Sequence, residues 1–226
     1  MVVYGKQVTL YLLENHPEMI RTLYLSKEID TGLFRRFQKA VPEILRVDAK
    51  KAQGMARGGN HQGFLAEITS PEEASADILK SMKLVVVTVG VTDVGNLGAI
   101  ARTAFALGAE AMIAAGAKTF PWGGAVRTSS GALLDLPLIV EPNALDALNH
   151  LKMAGFACFG ATLEGEDRRD FSGVAKRALI LGSEHEGLSG KVRKKLDGEI
   201  TIPMAQGFDS LNVGAAAAIL MDRMRG

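Results

Sequence analysis

The chain has 226 residues, 26 basic against 25 acidic side chains, a formal net charge of +1 and a single cysteine. A chain of that length can bury a core without cross-links. Cys158 alone leaves no disulfide framework or Cys-based metal site, and no apolar run approaches the roughly 18 residues of a spanning helix. A soluble cytoplasmic protein is expected, and near-neutral charge leaves a polyanionic partner open, since a local basic patch can still hold phosphate.

Residues 1–70 read as a small α/β domain: a helix over 5–16, a strand over 22–25, a helix over 33–40 and a strand over 63–68. Cys158, further along, lies in an apolar run and is expected to be a buried strand residue. Basic residues cluster at Arg35 and Arg36, at Lys50, Lys51 and Arg57, at Arg168 and Arg169, at Lys176 and Arg177, and from Lys191 to Lys195. Each cluster is by default a solvated face. A polar, capping-rich stretch over 71–82 predicts a linker or connecting helix.

From residue 83 onward the pattern changes. Strands are predicted over 84–89, 111–115, 137–140, 156–161, 178–181 and 199–202, with helices over 97–107 and 144–154 and a last helix after residue 209. Such alternation predicts an α/β fold with a parallel sheet covered by helices on both faces. Ligands of open sheets sit beyond the strands' carboxyl ends, which directs attention to the loops after Val89, Ala161, Leu181 and Ile202.

The loop after Val89 carries Gly95 and Gly98 and enters a helix, which invites comparison with a dinucleotide-binding turn. That fingerprint needs an earlier glycine and a carboxylate ending the second strand, and this chain runs out there as Ala-Ala-Gly-Ala-Lys. Asn96 offers an amide, or an ordinary helix cap; Arg102 offers a fork for phosphate, or a surface helix residue. In the second loop Gly182 would let backbone approach a ligand, beside Glu184, His185 and Glu186. Those three side chains are too few for a metal site and could be a helix-start cluster. The third segment joins a strand end to a helix capped by Asp209 or Ser210, with Asn212 in its first turn and small residues over 214–218 for close packing.

Three motifs stand in this order: Asn96-x-Gly98-Ala99-Ile100-x-Arg102-Thr103-Ala104, then Leu181-Gly182-Ser183-Glu184-x-Glu186-Gly187-Leu188, then Ile202-Pro203-Met204 followed by Ser210-Leu211-Asn212-Val213. Together they resemble the SpoU/TrmH family of the SPOUT superfamily, RNA ribose 2′-O-methyltransferases. The N-terminal part is similar to that family's small substrate-binding domain through Val3-Tyr4-Gly5-Lys6 and the stretch from His61 to Ile68. The sequence departs from the family pattern at Val94, where proline is common, at His185, where glycine is common, and at Gly214, where serine is common.

The resemblance implies a methyltransferase domain over residues 83–226 whose C-terminal part is tied into a trefoil knot, S-adenosylmethionine as donor, and a homodimer. It implies donor contacts from Thr162, Leu163, Gly182, Ile202, Met204 and Leu211, and a catalytic group of Asn96, Arg102, Glu184, Ser210 and Asn212. The sulfonium already activates the methyl group, so no metal is needed. A guanidinium is too basic to take the ribose proton, so Arg102 is expected to clamp the neighbouring phosphate while phosphate or solvent accepts that proton. Glu184 is expected to orient Arg102 or a loop backbone. Arg35, Arg36, Lys50, Lys51, Arg57 and His61 are candidates for gripping folded RNA, although residues 60–62 could equally be a plain turn. The expected substrate is a guanosine of 23S rRNA, with tRNA, or RNA binding without catalysis, as alternatives.

Overall fold

A computed structural model of the chain describes residues 1–184, 186–205 and 210–225. Its first elements are β1 (Val2–Tyr4), α1 (Lys6–Asn15), β2 (Ile20–Leu25), α2 (Thr31–Ala40), β3 (Glu43–Arg46), α3 (Ala49–Met55) and β4 (Phe64–Ile68). There follow β5 (Leu84–Val89), α4 (Val94–Ala106), β6 (Ala111–Ala115), α5 (Trp122–Thr128), β7 (Leu138–Glu141), α6 (Ala144–Met153) and β8 (Ala157–Glu166). The chain closes with β9 (Arg177–Leu181), α7 (Gly190–Arg193), β10 (Gly198–Ile200) and α8 (Val213–Met224). Among the described residues no helix is long and apolar enough to cross a membrane.

The chain forms two compact units. The first comprises Met1–Glu72 together with Pro121–Leu134. Its sheet runs β1-β4-β2-β3, antiparallel except for the β2–β3 pair. Helix α1 buries Val8, Thr9, Leu12 and Leu13, the i, i+4 spacing that puts four side chains on one helical face. Asp30 and Asp48 cap α2 and α3 by accepting from the N–H groups of Leu33 (2.9 Å) and Lys51 (2.7 Å), which fixes where the two basic helices begin. Helix α5 packs on β1, and Arg127 stacks on the Tyr4 ring at 5.0 Å. Neither the short edge strands β1 and β3 nor α5 was anticipated from periodicity.

The second unit comprises Glu73–Phe120 and Asp135–Gly226. Six strands, all parallel, run in the order β10-β8-β9-β5-β6-β7. Val85, Val87, Ile113, Ile139, Cys158 and Ile180 share one core with Ala147, Leu148 and Leu151 of α6. The alternate residues Val86, Met112 and Leu179 are equally buried, as strand alternation requires when both faces are covered. Helix α8 packs against β9 and α4. Residues 76–81, in the stretch expected to link or connect, form a 3-10 helix capped by Ser75.

This strand order positions the site. The chain moves outward from β5 through β6 and β7, then crosses to build β8 and β9 on the other side of β5. The loops after β5 and β9 therefore leave adjacent strands at the point where the winding direction reverses, the crevice in which open α/β sheets hold ligands.

Candidate active site

Three polar side chains from three distant segments meet at that crevice. Asp93, not Asn96, caps α4: its Oδ1 accepts from the Asn96 N–H at 2.7 Å, and the helix starts at Val94, ahead of the expected residue 97. With the cap supplied, the Asn96 side chain is directed elsewhere. Its Nδ2 donates to Glu184 Oε1 at 3.2 Å. Asn212 is itself the cap of α8, its Oδ1 accepting from the Gly214 N–H at 2.9 Å. That corrects the expectation of Asp209 or Ser210 as cap. The correction has a chemical consequence, because an amide whose oxygen is committed to the helix must point its nitrogen away from it. Asn212 Nδ2 donates to Asn96 Oδ1 at 2.9 Å and to Glu184 Oε1 at 2.8 Å, closing a triangle of side chains 88, 28 and 116 positions apart.

The carboxylate corner sits on a tight turn. Ser183 and Gly187 bridge, with the Gly187 N–H donating to Ser183 O at 3.0 Å and the Glu186 N–H to Ser183 Oγ at 3.2 Å. A Cβ at residue 182 would collide with the Gly187 backbone. Gly182 therefore makes room for its own turn. His185 and Asp209 lie outside the described residues.

A cavity of about 650 Å³ opens beside the triangle. Its walls are residues 161–164 of β8, residues 181–184 and 186–188, Arg193, residues 200–202 with Met204, and the start of α8. Thr162, Leu163, Gly182, Ile202, Met204 and Leu211, expected to contact one ligand, all line it, as do Glu184, Ser210 and Asn212. Leu163 is 62% exposed and Leu211 36%, so apolar side chains face open space here instead of the core. Arg102 is exposed on α4, six residues beyond Asn96, or about 9 Å further along the helix axis at 1.5 Å per residue. It is not among the cavity's lining residues.

One part of the wall was missed from the sequence. Arg193, read there as part of a solvated basic run, lines the cavity and grips both oxygens of Glu199 with one edge of its guanidinium: Nε to Oε1 at 2.9 Å and Nη2 to Oε2 at 2.5 Å. The guanidinium beside it holds the Glu199 carboxyl below its ordinary range. Only the local composition of residues 191–195 was legible, and the partner stands six residues away on strand β10. Cys158 is buried as expected, and burial pushes its thiol up to about 12.

The six basic candidates of the N-terminal unit are arranged differently. Arg35 and Arg36 are exposed on α2, with Arg36 paired to Glu14 at 3.2 Å. Lys50 and Lys51 are exposed in the first turn of α3, and Arg57 follows its end in the left-handed conformation at φ 48°. His61 is half-buried, and its Nδ1 accepts from the Gly63 N–H at 3.1 Å, closing the turn that leads into β4.

Comparison with known proteins gives this geometry its family. Residues 83–222 match the SpoU rRNA Methylase family, and residues 2–74 match the family of RNA 2′-O ribose methyltransferase substrate-binding domains. The chain is similar to the 23S rRNA (guanosine-2′-O-)-methyltransferase RlmB of Pseudomonas putida, 29% identical with 97% of this chain and 93% of the relative covered. It is equally similar to that of Neisseria meningitidis, 29% identical over 99% and 94% of the two chains. Among solved structures it resembles the AdoMet-bound rRNA methyltransferase of Sinorhizobium meliloti (TM-score 0.81, 25% identity, 99% of this chain and 86% of that one). It also resembles the SpoU methyltransferase AviRb of Streptomyces viridochromogenes in complex with AdoMet (TM-score 0.80, 26% identity, 100% and 89% covered). With the first of these matches spanning well over half its length, the chain belongs to the SpoU rRNA methylase family.

Proposed function

We propose that this protein transfers the methyl group of S-adenosylmethionine to the 2′-hydroxyl of a guanosine ribose in 23S rRNA. The observation that carries the reading is the Asn96–Glu184–Asn212 triangle, two members of which line a cavity that every expected donor contact also lines. The cavity suits the donor: about 650 Å³ lies in the range of small-molecule sites, with apolar Leu163, Ile202, Met204 and Leu211 for an adenine ring. Its acidic side chains, Glu184 and Glu186 among them, suit a cationic ligand. S-adenosylmethionine bound here supplies an already activated methyl group.

The chain's own task is then positioning, which can account for much of such a reaction's acceleration. Glu184 holds the two amides, and these orient donor and ribose. Arg102 clamps the phosphate beside the target ribose and stabilises developing negative charge, the proton leaving to phosphate or solvent. Lysine at residue 102 keeps the charge and loses the fork, so Arg102→Lys should cut turnover about tenfold or more while RNA affinity falls less. Unimpaired turnover would remove the clamp.

Residues 1–70 serve as the RNA-binding domain, 71–82 as a connection and 83–226 as the methyltransferase domain, with Pro121–Leu134 grouped with the N-terminal residues. The exposed basic groups of α2 and α3, and His61, grip the RNA. A C-terminal knot is supported by the course of the chain: β10 lies outside β8, and α8 then returns to β9 and α4. A homodimer is supported by exposed Phe105 and Ile219 on α4 and α8, and a cytoplasmic location by the rRNA substrate of the relatives. Incubation with labelled S-adenosylmethionine and with rRNA and tRNA from a strain lacking the protein, followed by mapping of the methylated nucleotide, tests the reading. Label in 23S rRNA at a guanosine 2′-oxygen is expected; label in tRNA alone, or in no RNA, contradicts it.

A further inference from the structure

One wall of the cavity is built from chain that sheet pairing does not hold. On β8 the partner of β10 jumps from Gly160, opposite Glu199, to Glu166, opposite Ile200, so residues 161–165 leave the ladder as an arch. Backbone that leaves a ladder must be fixed by other contacts if it is to keep one shape. Thr201 ties the far end of the arch, its N–H donating to Glu166 O at 2.9 Å and its Oγ1 to Leu163 O at 3.2 Å. Gly165 lets the strands cross closely, since a Cβ there would lie 2.6 Å from the Ile200 backbone.

The near end is held by side chains. Besides gripping Glu199, Arg193 reaches Glu164 Oε2 through Nη2 at 3.3 Å, and Thr162 Oγ1 donates to Glu199 Oε2 at 3.0 Å. Thr162 and Glu164 belong to the arch, Glu199 to β10 and Arg193 to α7, so one guanidinium joins three segments of wall. The Arg193 and Glu199 side chains remain 38% and 28% exposed, and pairs in such contact with water add little to global stability. What a bidentate fork does fix is geometry.

We propose that Arg193 is a positioning residue for the methyl donor: held by Glu199, it fixes the 161–165 arch in the shape that closes the cavity. This rests on the reading of that cavity as the S-adenosylmethionine site. Glu199 is not among the residues lining the cavity, so changing it acts on donor affinity through the lining residues it holds, Arg193 and Thr162, and quickened exchange over 160–166 marks the share that passes through the arch.

The test compares the wild-type protein with Glu199→Gln, Arg193→Lys and the double variant, by calorimetric titration with S-adenosylmethionine, amide hydrogen exchange over residues 160–166, and steady-state kinetics. Losing a charge-assisted bidentate pair should weaken donor binding and raise its KM about tenfold in each single variant, with kcat changed less than twofold. Exchange over 160–166 should quicken without donor, the melting temperature should hold, and the double variant should lose no more than the worse single one. If Arg193→Lys fails to fold, Glu199→Gln carries the test alone. Wild-type binding with unchanged affinity and exchange in the variants overturns the positioning role; a wild-type protein that binds no S-adenosylmethionine overturns instead the reading of the cavity.

Discussion

The two sides of the cavity are held by different chemistry. On one, Asn96, Glu184 and Asn212 make a compact triangle in which each amide has a defined orientation, set by the helix caps beneath it. On the other, Arg193, Glu199, Glu164 and Thr162 make a charged network that spans an arch with no regular pairing. On the function proposed above, the first arrangement serves the methyl transfer and the second keeps a wall in place. A site can thus divide its polar groups between chemistry and shape, and substitutions should separate the two.

The largest effect is expected at the triangle. Asn212→Ala removes both a helix cap, costing about 1 kcal/mol, and the amide that links Asn96 to Glu184. Asn212→Ser restores a cap but not the amide nitrogen. Both variants should lose about 100-fold or more in methyl transfer, as removal of one oriented donor does in other sites, while only the alanine variant melts lower. Calorimetry beside kinetics distinguishes them. Recovery of activity in the serine variant would reduce Asn212 to a cap.

A smaller effect, on the turn between the two sides, is expected from Gly182→Ala. The added methyl meets the Gly187 backbone, which cannot rotate away as a side chain could, so a cost of about 1–3 kcal/mol follows. Donor affinity should fall with stability, because the 183–187 turn lines the cavity. Unchanged melting would show that the turn yields.

The smallest effect is the pH response of the charged side. Arg193 depresses the Glu199 carboxyl, so the contribution of the pair is complete above the ordinary Glu value of about 4.3 and disappears as pH falls through the lower folded value. Donor affinity governed by this pair should stay level between about pH 8 and 5, and decline below about pH 4. A titration that loses affinity between pH 7 and 6 would point to another group.

The same comparison explains what could be read from the sequence. The strand over 111–115 is an unbroken apolar run and that over 84–89 is interrupted only by the buried Thr88, so both are covered on two faces and their limits were legible to the residue. The three motifs named the triangle's members, yet the residues alone gave Asn96 as a cap. Asp93 and Asn96 are both capping residues three positions apart, and only the folded geometry decides between them. Helix α7 has four residues and α5 contains two glycines, so both depend on packing that periodicity does not encode. The charged side was illegible for a related reason: Arg193 lies in a run of five residues with three other cations, and its meaning comes from a carboxylate on strand β10.

The division between chemistry and shape is tested most directly by measuring S-adenosylmethionine affinity and the single-turnover methyl-transfer rate at saturating donor for Asn212→Ser and Glu199→Gln side by side. Asn212→Ser should keep affinity within about threefold and lose the rate, whereas Glu199→Gln should lose affinity about tenfold and keep the rate. Loss of the same quantity in both variants would contradict the account.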